Sequence, residues 1–527
     1  MNKLTSSLLK YPFFQKINDF FNKYPFVKRI LKWILVFIFV WISYDILTYF
    51  SSISNDNLQT IRTFMIIPIA YALIRGFYFY GKKELTIDKI AILLMIIGFT
   101  MRCGYAFYTG TSTRQHDVEM YNYDGSLNLT GGGHFTYTYI IYSTGKLPDS
   151  VSWQFYHPPL WHITSALFMH IYSFFEGTKD IATLYRATII ISSYVSLLTL
   201  YFIKRLIFEI TSNNVSRFIM LLLLSLHPQF FIMAGWVNND GMAFMFMIIS
   251  LYYGFVFHKN RSWYSIILCA LALGLGAMSK LVAGLVCIPL GIIFIYDFVI
   301  DVKKKVYKKT ILQGISFIAI VCPLALWFII RTYIKFNVSA LDVPSLDPYT
   351  NSLGVIQYSY WQRFGLPNLN NLKESLWCIL RPNNNGYQDY NVWLYTFKCS
   401  VFGEYSYWQG DFFGVMLLVF NIIMIFITLI CMVYCLIKNF KSFKNILMLA
   451  TFLTCLIAYI IFQVKHPVTC TQDFRYMTLI LIPGIYFIGH FFESEFTSKS
   501  MKTLKYTFLS VIFIFVTSSC LYYLSVR

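Results

Sequence analysis

Charge is what this sequence has little of, and negative charge least of all. Asp, Glu, Lys and Arg make up 13% of the 527 residues, and 24 acids face 43 bases. A soluble domain carries about 25% charged residues, so an ordinary soluble fold is excluded. The 11 cysteines are scattered and form no CxxC pair, which removes the usual structural zinc sites. No repeat of solenoid length and no sustained heptad pattern is present, so repeat arrays and coiled coils are excluded as well.

What the chain does have is apolar surface. It is 57% hydrophobic and 19% aromatic, with a mean hydropathy of +0.58. Apolar runs near the length needed to cross roughly 30 Å of hydrocarbon recur throughout. They predict spanning helices over 33–50, 61–80, 88–108, 183–203, 215–234, 240–258, 263–279, 281–299, 311–332, 412–437, 446–463, 475–492 and 506–524. The first run follows a basic stretch, as a signal sequence would, but no small-residue cleavage site follows it, and it reads as a retained helix.

The formal charge of +19 invites a nucleic-acid reading, which the placement of the charge rejects. More than half of the bases fall in seven clusters between apolar runs: Lys3–Lys32, Lys82–Lys89, Lys204–Arg217, Lys259–Arg261, Lys303–Lys309, Lys438–Lys444 and Lys499–Lys505. With the N-terminus inside, all of them lie on the inner side, as the positive-inside rule requires. The expectation is an all-α, multi-pass protein of the plasma membrane with about 13 spans, a cytoplasmic N-terminus and an outward-facing function.

The apolar run 158–175 breaks this alternation if it spans, because it would put Lys204, Arg205 and Arg217 outside. It is short and carries His162 and His170, so it reads as an interfacial or re-entrant helix. Residues 109–182 then form one outer loop. The predicted organisation is an N-terminal segment with two extra spans (1–87), a catalytic membrane core (88–332), a second outer loop (333–411) and C-terminal spans (412–527). Cys378 and Cys399 share that second loop and are close enough in sequence for a disulfide to be considered.

The first outer loop concentrates chemistry. Five of the nine histidines fall between His116 and His170, and titratable groups beside a membrane mark a site. Asp117 has two readings: a general base for an incoming hydroxyl, or a helix cap. His116 would tune it, and Glu119 is the second acid of the loop. His134 follows three glycines, which permit close backbone approach or form a plain turn. His157 precedes two prolines and reads as a ligand or as a rigid helix start. The spacing of His116, His134 and His157 matches no defined metal motif.

Cations lie at the predicted outer ends of later helices. Lys280 sits between two apolar runs on the side the charge rule disfavours, so it either meets an anion such as phosphate or snorkels. Arg475 offers a bidentate phosphate partner or pairs with Asp473. Asp240 is a helix cap or a second acid facing the cleft. Arg102 could help hold a phosphate or simply snorkel.

In order along the chain stand Gln115-His116-Asp117, Gly133-His134 to Tyr137, Gln154-Phe155-Tyr156-His157-Pro158-Pro159-Leu160, Asn239-Asp240-Gly241, Met278-Ser279-Lys280-Leu281, Phe402-Gly403-Glu404 and Asp473-Phe474-Arg475-Tyr476. This series resembles the polytopic membrane glycosyltransferases with a GT-C fold, closest to the protein O-mannosyltransferases and the bacterial lipid A aminoarabinose transferases. The resemblance covers about residues 101–488. It implies Asp117 as catalytic base, an interfacial helix over 158–175, a polyprenyl-phosphate sugar donor and inversion at the anomeric carbon. It also implies a donor phosphate held by Lys280 and Arg475, with Arg102 as a third candidate, and substrate contacts from Gln154, Tyr156, Asp240, Glu404 and Asp473. The acceptor would be a glycan, lipid or protein. No cofactor is assigned, and divalent metal use varies among such enzymes. Two spans precede the usual first one and no soluble C-terminal domain follows, so the 333–411 loop is expected to take over acceptor recognition. The alternatives are a polysaccharide polymerase or ligase, which would carry an arginine-rich outer loop, and a transporter, which would carry polar residues near the midplane.

Overall fold

The computed structural model describes residues 23, 25–53, 57–109, 118, 132–151, 153–339, 343, 346, 349, 353–373, 389–403 and 411–525. Gln115, His116, Asp117, Glu119, Cys378, Arg381 and Glu404 lie outside the described residues, so the predicted base and the Cys378–Cys399 pairing do too. The chain divides into two compact units, Met1–Thr60 and Ile61–Arg527. Among the described residues there is no strand, only an isolated bridge between Gly354 and Val468.

Eleven helices among the described residues are long and apolar enough to cross a membrane. A twelfth crossing is a pair, Asn214–Leu226 and Pro228–Gly235, bent by 41°. Proline disfavours the helical region for the residue before it, and His227 is accordingly extended, with its Nδ1 accepting from the Gln229 N–H at 3.2 Å. Trp263–Ser279, with 17 residues, is the shorter apolar helix. Every predicted span thus has a helical counterpart, while length and composition alone support eleven or twelve crossings.

Two predicted spans differ in form. The one expected at 281 begins as a 3-10 turn, Leu281–Val286, before the Cys287–Lys303 helix. The one expected at 475 begins as the 3-10 turn Phe474–Ile480 before Leu481–Glu493, and another, Thr469–Gln472, precedes it. Hydropathy does not distinguish these turns from α-helix, since the same apolar residues serve both.

The basic clusters of the larger unit meet at one end of the bundle. Lys204 pairs with Asp88 at 3.3 Å and Lys259 with Glu209 at 3.2 Å. Lys444 donates to the Ile210 carbonyl at 2.5 Å and Lys438 to Ser494 at 3.0 Å. Lys505 also donates to the Ser494 carbonyl, and Thr211 reaches Glu493 at 2.7 Å.

At the opposite end lie the two irregular segments. Leu160–Glu176 is a helix with one packed face, including Trp161, His162, Ser165 and Met169. Leu167, Ile171, Phe174 and Phe175 form a bare apolar stripe along its other face. Residues 353–373 and the Val392–Phe402 helix clamp onto the 463–474 stretch. The Thr469 N–H donates to the Leu353 carbonyl at 2.9 Å, Arg363 Nη2 donates to the Gln463 carbonyl at 2.6 Å, and the Phe474 N–H reaches Cys399 Sγ at 3.0 Å.

Candidate active site

A cavity of about 470 Å³ opens at this irregular end. One side is polar, with Tyr156, His157, Lys280 and Tyr476. Thr332, Ser339 and Tyr459 also line it, and the remainder is mainly apolar: Leu281, Val282, Leu285 and Ile288 from the 3-10 turn and the start of its helix, Phe328 and Ile329 from Tyr307–Phe336, and Ala458 and Phe462 from Phe443–Lys465. Ile288 is more than half exposed, so the apolar wall runs out toward the flank of the bundle.

Lys280 is held by its partner, not by the headgroup region. It caps the Trp263–Ser279 helix in an extended conformation, and its Nζ donates to Asp240 Oδ1 at 2.6 Å, both side chains being over nine-tenths buried. Asp240 is in the first turn of Asp240–Asn260, where Asn239 is the cap residue. Asn239 Nδ2 donates to the Ser279 carbonyl at 2.7 Å, tying the two helix ends together. The two readings of Asp240 therefore resolve into an ion pair with Lys280.

Tyr476 lies between two cations. Lys280 Nζ is 5.3 Å and Arg475 Cζ 5.1 Å from its ring centre, within reach of a cation–π attraction. Arg475 Nη2 also donates to the Tyr476 hydroxyl at 3.2 Å. Asp473 caps the 3-10 turn by accepting from the Arg475 N–H at 2.8 Å, with the Arg475 Nε at 3.8 Å from its other oxygen. Arg475, Tyr476 and Asp240 line one further small void, so both cations and the acid form one group.

The histidines gather beside it. His134 begins the His134–Thr144 helix after Gly132 and Gly133, both at positive φ, a backbone that glycine alone adopts freely. His134 Nδ1 lies 3.0 Å from His162 Nε2, and the His157 ring stacks on the His134 ring at 5.6 Å. Tyr137 stacks on His162 at 4.0 Å and donates its hydroxyl to the His157 carbonyl. Burial pushes His162 down to about 3. Burial first, then neighbouring imidazoles, Lys280 and Arg475, hold His134 and His157 well below the usual histidine range. All three rings are neutral at pH 7, and a neutral imidazole has one N–H to donate and one nitrogen to accept with. Among the described residues no group of three His, Cys, Asp or Glu could hold a metal ion.

Val118 is buried, and its carbonyl accepts from the Phe135 N–H at 3.4 Å, next to His134. Gln154 is buried in the 3-10 turn Trp153–Tyr156, where its carbonyl accepts from the His157 N–H at 3.1 Å.

Arg102 is committed elsewhere. Its Nη1 donates to the carbonyls of Gly98 at 2.8 Å and Ser225 at 2.7 Å, and its Nη2 to Leu224 at 3.3 Å. The guanidinium thus caps carbonyls that the Leu226–His227 break leaves without helical partners, and Arg102 is not among the cavity's lining residues.

Three roles escaped the sequence reading. His162 marked the 158–175 run as interfacial, but its pairing with His134 was not anticipated. Tyr476 belonged to a quoted motif but has no charge to single it out. Lys398 pairs with Asp389 at 2.9 Å, both wholly buried, and Gln472 donates to the Asp389 carbonyl at 3.2 Å, beside Asp473.

Residues 156–328 match the sequence family described as dolichyl-phosphate-mannose-protein mannosyltransferase. That stretch holds Tyr156, His157, Asp240 and Lys280. No curated protein sequence matches the chain. Among solved structures, an oligosaccharyltransferase from Archaeoglobus fulgidus, tethered to an acceptor peptide, superposes with a TM-score of 0.45 at 11% identity. The match covers 82% of this chain and 55% of that one, so this chain spans about half the length of the archaeal enzyme. By its array of apolar helices this is a multi-pass membrane protein, all-α among the described residues, and its 156–328 stretch is similar to the dolichyl-phosphate-mannose-protein mannosyltransferases.

Proposed function

We propose that the chain transfers a sugar from a polyprenyl-phosphate carrier to an acceptor at the outer face of the membrane. The observation that carries this reading is the shape of the cavity's chemistry. A single space has Lys280, His157, Tyr156 and Tyr476 at one side and a long, mainly apolar wall leading to the flank of the bundle. A lipid phosphate has that same division, an anionic head on an isoprenoid tail. A water-soluble nucleotide sugar would leave the apolar wall unused.

In this reading Lys280 and Arg475 take the charge that builds on the phosphate as the sugar leaves. Their low-dielectric setting makes each contact worth more than it would be in water. Asp240 fixes the direction of the Lys280 ammonium. Asp117 removes the proton from the acceptor hydroxyl. One base and one displacement invert the anomeric carbon. The neutral imidazoles line the step without adding charge that would compete for the phosphate. The outer segment 333–411 offers the acceptor surface.

The test is transfer by the purified protein in liposomes, with polyprenyl-phosphate sugars supplied one at a time. Leu285→Trp, which fills the apolar wall, is expected to abolish transfer from long-chain donors and spare short-chain ones. Equal loss with both, or transfer from a nucleotide sugar without any lipid carrier, would overturn the reading.

A further inference from the structure

The short helix Tyr360–Phe364 and the turn after it bear four strongly exposed apolar side chains. Trp361 is 81% exposed, Leu366 95%, and Tyr360 and Leu369 65% each. In water such a cluster is a liability. Five of its main-chain carbonyls, however, are satisfied as a lipid-facing backbone requires. The carbonyls of Ser359 and Trp361 accept from the N–H groups of Arg363 and Gly365. Those of Gln362 and Gly365 accept from Asn391 Nδ2 at 3.0 and 3.1 Å, and that of Phe364 from Trp393 Nε1 at 2.6 Å. Gln362 closes a capping box with Ser359. Polar main chain turned inward and apolar side chains turned outward is what hydrocarbon demands, because nothing in lipid can satisfy a bare carbonyl.

The position agrees. Arg363, 3% exposed, is anchored on the Gln463 carbonyl, two residues before the end of the span Phe443–Lys465. On that span Ile457, Ile461 and Val464 form an exposed stripe. The aromatic cluster therefore continues a lipid-facing surface at the level of its end, where Trp and Tyr are favoured.

We propose that the 360–369 segment is a membrane anchor, with Trp361, Leu366 and Leu369 inserted in the lipid interface beside the cavity. The occupant of this surface is phospholipid, not the acceptor and not a second copy of the chain. Gly365 serves the turn, since a Cβ there would lie 2.3 Å from the Trp361 carbonyl oxygen.

The test uses the full-length protein in proteoliposomes, with a polarity-sensitive fluorophore on Leu366→Cys and the signal of the labelled parent subtracted for native cysteines. Leu366 is so exposed that its replacement disturbs no packing. Spin-labelled lipid is expected to quench the fluorophore severalfold more than aqueous iodide does, and an acceptor mixture is expected to leave the emission unchanged. Stronger quenching by iodide overturns the proposal, and so does protection by acceptor or by added unlabelled protein. In a second measurement, Trp361→Ser with Leu366→Ser is expected to leave the melting temperature in detergent unchanged and to reduce the gain in melting temperature on transfer to bilayers. An undiminished gain overturns the proposal as well.

Discussion

The two ends of the helical bundle treat charge in opposite ways. At the basic end the pairs are open to solvent: Lys259 is 75% exposed beside Glu209, and Asp88 66% exposed beside Lys204. Even the buried Asp297 there is met by partly exposed His258 and Arg261. The cavity end has one exposed pair, Lys335–Asp149, but Lys280–Asp240 and Lys398–Asp389 are sealed in there, and three imidazoles lie beside the first of them. Exposed pairs contribute about 0–1 kcal/mol. Buried pairs must recover a desolvation cost of several kcal/mol per ion and are poor investments for stability alone. Under the proposed function, charge at the basic end serves orientation and the buried charge at the cavity end serves the donor.

The sharpest way to break this contrast is at the cavity end. Asp117→Asn is expected to lower sugar transfer by about 10²–10⁴-fold, the usual worth of a general base, with lipid-donor binding retained. An active variant would remove the base from the mechanism. Lys280→Ala is expected to weaken donor binding and to cost about 3–5 kcal/mol by leaving Asp240 buried and uncompensated. The double change Lys280→Met, Asp240→Leu separates the two effects: thermal stability should return while donor affinity stays lost. Recovery of both would make the pair purely structural.

The imidazoles give a smaller effect with a definite sign. His162 is held at about 3 in the folded protein, against about 6.5 in the unfolded chain. Between those values only the unfolded chain binds the proton. The stability from this group is therefore full above pH 6.5 and falls by about 1.4 kcal/mol per unit as pH drops below it. Melting temperatures of the wild type and His162→Phe between pH 7 and 5 should diverge, the variant showing the shallower slope; parallel curves would count against a buried neutral His162. Least of all, Lys259→Ala at the basic end should change stability by under about 1 kcal/mol and leave transfer intact. A large loss of transfer there would erase the distinction between the ends.

Much of this was readable from the sequence. Apolar length and the run of lysines located the helices and the gathering of basic clusters at one end. Scarcity of charge made Lys280, Arg475, His134 and His157 conspicuous, and the structure brings these four into one neighbourhood. What was hidden depends on pairing over long separations. Arg102 looked like the other cations, but its acceptors lie more than 120 residues on, at a bend whose carbonyls no local pattern reveals. His162 stood out on the 158–175 run, but its partner His134 lies 28 residues earlier and no local pattern reveals the pairing. The 3-10 turns at 281–286, 469–472 and 474–480 were invisible, because hydropathy reports what is buried and not how tightly the backbone is wound.

Those turns have a mechanical consequence. A 3-10 turn advances about 2.0 Å per residue and an α-helix 1.5 Å, so the seven residues Phe474–Ile480 hold about 3 Å of slack. Taking it up would retract Arg475 along the bundle axis by the width of one hydrogen bond, while the α-helix from Leu481 onward stayed still. The backbone that carries the guanidinium is thus a short coil held in its longer form, which winding into α-helix would shorten.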